Sequence, residues 1–236
     1  MSPPLVLLPG LMCDARVFAE QILELSRDTV VILAPITGES RVEALASGLL
    51  SRLPARFALA GIGLGGQVAI QIAARAPDRV ERLCLIATSP LPETPAMAAA
   101  REPLIVAARS GRLDDVLRDC LKPERLAPGP GRPEVLGQFR TMGADLGVEV
   151  FVRQSRALQR RGDQQGSLAK CKVPALVLCG AHDTVLPVKR HEVMAALMPN
   201  ATLKVLENSG ALPPLEEPAA VTAILRDWLG APLLLR

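Results

Sequence analysis

The residues that bear most directly on chemistry are a cluster of glycines. Residues 57–66 read Phe-Ala-Leu-Ala-Gly-Ile-Gly-Leu-Gly-Gly, an apolar run ending in Gly61-x-Gly63-x-Gly65, and Gln67 to Ala76 then has a helical pattern. A sharp strand-to-helix turn of the form G-x-S-x-G presents a serine hydroxyl as a nucleophile, with small flanking residues because strand and helix pass close together. Here the central position is Gly63, which has no side chain. Covalent acyl chemistry needs that hydroxyl and also an imidazole to take its proton. The chain has two histidines, His182 and His191. His182 directly precedes Asp183 and is expected to point away from it, and His191 is expected on the surface at the start of a helix. The chain thus has the setting for a nucleophile without the nucleophile.

The elements around this turn alternate. Strands are expected at Leu5–Leu8, Thr29–Leu33, Phe57–Ala60, Leu83–Ala87, Ala175–Cys179 and Leu203–Leu206. Helical patterns fall at Ala15–Leu25, Val42–Leu53, Gln67–Ala76, His191–Met198 and Ala219–Leu229. Such alternation predicts a mostly parallel six-stranded sheet covered on both faces, with ligands at the strand C-termini. The interval Ser89–Val173 breaks the rhythm. Helical patterns at Arg101–Arg109, Leu113–Leu121, Pro133–Leu146 and Val148–Gln159 surround the breaker Pro128-Gly129-Pro130-Gly131. It reads as a helical cap, because Val106, Leu117, Leu136, Phe139 and Phe151 need an apolar surface to cover. The expected division is a core of residues 1–88 and 174–236 and a cap of residues 89–173.

Bulk properties narrow the function classes. A chain of 236 residues suits one α/β domain with an insertion. Its net charge of +3, from 27 basic and 24 acidic residues, is too mild to argue for nucleic acid. Aromatic residues make up 2% of the chain, which argues against a stacking surface for bases or sugars and for an aliphatic pocket. The five cysteines have no metal-site spacing, so no metal is expected, and Cys84 and Cys179 lie within apolar runs where a reduced thiol is the natural reading. No basic stretch precedes Leu5–Leu8, and no apolar run reaches the length of a membrane span. A cytoplasmic location without membrane association follows as the expectation.

Further loops extend the pattern. Leu8-Pro9-Gly10-Leu11 follows the first strand, Cys179-Gly180-Ala181-His182-Asp183 follows the fifth, and Asn208-Ser209-Gly210-Ala211-Leu212 follows the sixth. Together with the glycine turn they cover nearly the whole chain. This arrangement resembles the α/β-hydrolase superfamily, most closely its small bacterial members with a helical cap. The resemblance implies an α/β-hydrolase fold and the triad order nucleophile, acid, histidine, at positions Gly63, Asp183 and Ala211. The family's last loop usually reads G-H-x-x-x-x-E-x-P, whereas this chain has Gly210-Ala211-Leu212-Pro213-Pro214-Leu215-Glu216-Glu217-Pro218. The acid remains and the other two functional side chains are gone. The resemblance also implies an oxyanion hole from the backbone N–H groups of Leu11 and Leu64, which side-chain loss leaves intact.

Several readings stay open at the level of sequence. Asp183 is either a relic that accepts backbone hydrogen bonds or an unpaired carboxylate that moves a proton. Cys13, in the Leu11 loop, is either incidental or a thiol facing the pocket. Gly61-x-Gly63-x-x-Gly66 also matches a dinucleotide fingerprint, but the next strand ends Ala87-Thr88-Ser89 without the ribose-binding acid, and Glu81 sits at the wrong edge. The leading expectation is a non-hydrolytic enzyme (lyase, cyclase, isomerase or decarboxylase) that uses the oxyanion hole on a small apolar carbonyl compound, without a cofactor. The alternatives are a ligand-binding pseudohydrolase and an esterase or thioesterase with engineered replacements at Gly63 and Ala211. Substrate identity and oligomeric state are not readable.

Overall fold

The computed structural model describes residues 3–232. Residues 1–2 and 233–236, the outer ends of the expected core, lie outside the described residues. Six strands form one sheet in the order β2-β1-β3-β4-β5-β6. They are β1 (Leu5–Leu8), β2 (Val31–Leu33), β3 (Phe57–Ile62), β4 (Val80–Ile86), β5 (Ala175–Gly180) and β6 (Ala201–Leu206). Every pairing is parallel. The central strands read as nearly continuous apolar runs because both faces are covered. From β1 the chain first moves out to β2 and then returns to β3 on the other side, so the β1/β3 boundary is the topological switch point. The loops after β1 and β3 therefore open next to each other, where ligands bind in open α/β sheets.

Helices α1 (Ala19–Leu25), α2 (Val42–Leu50), α3 (Leu64–Arg75), α8 (Val188–Ala196), α9 (Pro213–Glu216) and α10 (Pro218–Gly230) belong to the sheet layers. Two buried clusters fill its two faces, one centred on Leu5, Leu7, Ala58, Ala60 and Cys84, the other on Val6, Leu8, Leu59, Leu83 and Leu85. This is the period-2 alternation of strand side chains. α4 (Pro95–Arg109), α5 (Leu113–Cys120), α6 (Arg132–Gln159) and α7 (Gln165–Ala169) form a helical insertion between β4 and β5. α6 is kinked at Gly147, whose φ of 80° no helix accommodates. That kink separates the two expected helices on either side of residue 147.

The structure corrects three expectations. α3 starts at Leu64 rather than Gln67, because Gly65 and Gly66 are helical despite their low propensity. α8 starts at Val188 behind Pro187, three residues earlier than expected. His191 is thereby carried into the first turns and is fully buried instead of lying on the surface. Within the insertion, Leu117, Phe139 and Phe151 are buried in the core cluster, but Val106 is 60% exposed and covers nothing.

Candidate active site

The elbow keeps the backbone of a nucleophile turn. Gly63 has φ 54° and ψ −117°, a conformation that strains any residue with a Cβ. Its glycine neighbours are required by close approach. A Cβ on Gly61 would overlap the Gly65 carbonyl, and one on Gly65 would overlap the carbonyl oxygens of Leu8 and Pro9. At Gly63 itself a Cβ would meet only Gly10 Cα, at 3.9 Å. Space for a side chain is therefore present where the side chain is absent. Thr88 Oγ1 donates to the Gly63 carbonyl at 2.6 Å and braces the turn from the end of β4.

Strain concentrates around this point. The non-glycine residues with positive φ among those described are Met12 (52°) and Ala87 (41°), in the loops after β1 and β4 on either side of the elbow strand. Each such position costs of order 1–3 kcal/mol and persists only where its surroundings hold it. Met12 is held by its N–H, which donates to Gln154 Oε1 at 2.8 Å, while Gln154 Nε2 donates to the Ile36 carbonyl. A fully buried glutamine from α6 thus fixes the loop that carries Leu11. Among the described residues, the Leu11 and Leu64 amides donate to no protein acceptor. Leu64 is also the first residue of α3, where the helix dipole favours negative charge.

Asp183 is buried after β5. Its Oδ1 accepts from the Val185 and Leu186 amides at 2.9 and 3.2 Å and from Arg125 Nε at 3.2 Å. Its Oδ2 accepts from Arg125 Nη2 at 3.0 Å. The expectation of an unpaired carboxylate fails, because the insertion supplies a bidentate guanidinium to it. Acceptance of backbone hydrogen bonds, the relic reading, describes Oδ1.

Ala211 is buried in the loop after β6, and its N–H donates to the Arg125 carbonyl at 2.8 Å. Glu216 organises this loop. Its carboxylate accepts from the amides of Gly210 at 2.9 Å, Leu212 at 2.9 Å and Ala127 at 2.8 Å. The sequence pattern contained this glutamate but gave it no role; its spacing from Gly210 was the available signal. Arg125 carried no such signal.

The remaining candidates do not join the site. Cys13 is buried, its thiol donates to the Leu11 carbonyl at 3.4 Å, and burial together with neighbouring Asp14 pushes its pKa up to about 12. It is a neutral thiol and no nucleophile. His182 is exposed. Burial lowers the pKa of His191, whose Nδ1 lies 3.4 Å from the Pro187 carbonyl. Glu81 is the second residue of β4, inside the strand rather than before it, and pairs with Arg56 at 2.7 Å. That places it at the strand N-termini, away from Gly61 and Gly63. No cluster of three metal-binding side chains exists among the described residues, and no helix among them is long and apolar enough to cross a membrane.

The family model described as the alpha/beta hydrolase family matches residues 5–224. A pimeloyl-[acyl-carrier protein] methyl ester esterase of Aromatoleum aromaticum is 30% identical over 205 residues, covering 79% of each chain. A putative carbamate hydrolase, RutD, of Pseudomonas savastanoi is 26% identical, covering 98% of this chain and 95% of that one. Among solved structures, a thermophilic esterase from Thermogutta terrifontis superposes with a TM-score of 0.88 at 27% identity, covering 97% of this chain and 90% of that one. These relatives are named as hydrolytic enzymes, which favours a hydrolase over the non-hydrolytic enzyme and the pseudohydrolase expected from the sequence. With 220 consecutive positions matched and the elbow, acid loop and last loop in the family's order, the chain belongs to the α/β-hydrolase family.

Proposed function

We propose that this protein is a non-covalent carbonyl enzyme, which holds the carbonyl oxygen of a small apolar ester-class compound against the Leu11 and Leu64 amides and forms no acyl-enzyme. The observation that carries this reading is the elbow itself. Gly63 retains φ 54° with open space at its Cβ position, next to two undonated amides. Glycine carries these dihedrals without steric cost, and the close-packed Gly61 and Gly65 hold the strand-to-helix approach from which the Leu64 amide emerges. The names of the relatives support an ester-class carbonyl, while Gly63 and Ala211 argue against covalent catalysis. Water then attacks the polarised carbonyl carbon directly and releases a proton to solvent, the C–O bond to the leaving group breaks, and the leaving oxygen takes a proton from solvent. The same polarised carbonyl would serve a lyase, cyclase, isomerase or decarboxylase, but Asp183 has both oxygens engaged and is a poor carrier for the proton transfers of those reactions.

That engagement also favours a second reading, a pseudohydrolase that binds its ligand without turnover. One experiment separates the readings. The protein is incubated with a fluorophosphonate and with short-chain p-nitrophenyl and methyl esters, followed by intact-mass spectrometry and product assay. The expected result is no adduct, with ester turnover about 10³-fold over water, the level an oxyanion hole and binding supply without a triad. An adduct on any residue around Gly63 overturns the non-covalent reading. Saturable ester binding with no turnover selects the pseudohydrolase.

A further inference from the structure

We infer that Arg125 holds the place on Asp183 that a histidine at position 211 would occupy, so that the triad's acid now fastens the helical insertion to the core. The carboxylate divides its work unevenly. Oδ1 takes two backbone amides, Val185 and Leu186, besides Arg125 Nε, whereas Oδ2 takes the single donor Arg125 Nη2. A base-orienting acid offers an oxygen to the imidazole N–H. Oδ1 is filled by its own loop, so Oδ2 is the oxygen left for such a partner, and the guanidinium sits on it.

The backbone puts Arg125 in the right neighbourhood for this exchange. The Ala211 N–H donates to the Arg125 carbonyl at 2.8 Å, and a Cβ on Gly210 would overlap that same carbonyl. Residue 125 is thus seated directly on the loop that lacks its histidine. The pair is well sheltered, with side chains 23% and 1% exposed for Arg125 and Asp183. Two residues on, the Ala127 N–H is bound by Glu216 of the same last loop. The segment 125–127 is therefore tied to the core by an ion pair and two hydrogen bonds from backbone amides.

The chemistry of the site changes with this exchange. An imidazole accepts and returns a proton near neutral pH, but a guanidinium stays charged and has no acceptor lone pair. The Arg125 guanidinium takes up no proton; it is a positioning group that closes the acid to other partners. Loss of the triad is thus a change of three residues, Gly63, Ala211 and Arg125, and replacing the first two does not rebuild it.

The test is restoration. Hydrolysis of p-nitrophenyl acetate and fluorophosphonate labelling are compared for Gly63→Ser/Ala211→His with and without Arg125→Met, after thermal melts establish folding. Removing the guanidinium should raise hydrolysis at least tenfold and bring in a rate limb that falls as pH drops through the histidine range, near 6.5. Arg125→Lys in the same background should stay close to the double variant, since it keeps the ion pair. Where both variants hydrolyse the ester faster than the unaltered chain, equal rates and equal pH profiles with and without Arg125→Met overturn the inference. If neither variant gains activity, hydrogen exchange in the otherwise unaltered chain decides. Arg125→Met and Asp183→Asn should each speed exchange of the Ala127 and Ala211 amides at least tenfold, with Arg125→Lys falling between; unchanged protection overturns it. Neither outcome bears on the oxyanion-hole reading, which the ester and adduct assays on the unaltered chain test separately.

Discussion

The two ends of the proposed site, the nucleophile end at Gly63 and the histidine end at Ala211, differ in construction. At the nucleophile end the turn has the positive φ that glycine carries without steric cost, close-packed glycines and a brace from Thr88, and the space for a side chain is open. At the histidine end the space is taken. Ala211 is covered, its amide is bonded to the insertion, and Arg125 occupies the acid. The difference follows from what each end is made of. In the proposed function the nucleophile end supplies an oxyanion site from backbone N–H groups, which needs the turn but not a serine. The histidine end has no such backbone site to offer, and its buried carboxylate is paired with Arg125. An unpaired buried charge is costly enough that a nearby cation gains by filling the position.

The strongest way to break this comparison is to attack the close approach on which the elbow depends. Gly65→Ala places a methyl group into the carbonyls of Leu8 and Pro9, both backbone atoms that cannot swing away. We expect a loss of about 3 kcal/mol or more in stability, read as a drop in melting temperature of roughly 6–12 °C. Gly63→Ser should cost only about 1 kcal/mol, since its Cβ meets open space and only the left-handed backbone is penalised. Equal losses for the two variants would mean that the turn is not held as described.

A second variant probes the histidine end. Glu216→Gln removes the charge from a carboxylate that receives the amides of Gly210, Leu212 and Ala127, and it turns one acceptor oxygen into a donor facing them. Hydrogen bonds to charged groups are worth about 1.5–3 kcal/mol each, and we expect a net loss of about 2 kcal/mol in a denaturant titration. Hydrogen exchange should rise in the last loop and in residues 125–127 together, while the elbow amides stay protected. Loosening of the elbow as well would show that the two ends are mechanically one unit.

How much of this was readable beforehand depends on the range of the interaction involved. The strands were legible because Leu5–Leu8 and Phe57–Ile62 are apolar runs between breakers, and parallel burial makes such runs continuous. The glycine turn was legible because steric close approach writes itself into residue type at Gly61 and Gly65. The start of α8 was not, since Pro187 and Val188 lack a capping side chain to mark it, and the position of His191 on the helix depends on that start. Arg125 was invisible for a different reason. Its role depends on a partner 58 residues away across the sheet edge, and an arginine in a polar stretch such as Lys122-Pro-Glu-Arg looks solvated.

His191 gives the smallest effect and the finest contrast, because it is the buried titratable group that neither end of the triad uses. Desolvation lowers its pKa, with the Pro187 carbonyl and the charge of Asp183 opposing that shift without reversing it. Groups that bear on its charge thus lie on its own helix turn and on the loop after β5. Because the folded pKa lies below the unfolded value of about 6.5, the unfolded chain binds the proton first as pH falls. Stability from this group is therefore complete above about pH 6.5 and is lost progressively as pH drops toward the folded pKa. Each unit of depression corresponds to about 1.4 kcal/mol. Denaturant midpoints measured from pH 7.5 to 5.0 should fall for the unaltered chain and fall less for His191→Leu, with the two curves converging on the acid side. Parallel curves would show that His191 takes up its proton without unfolding, and that its buried Nε2, which lacks a hydrogen-bond partner among the described residues, finds one when charged.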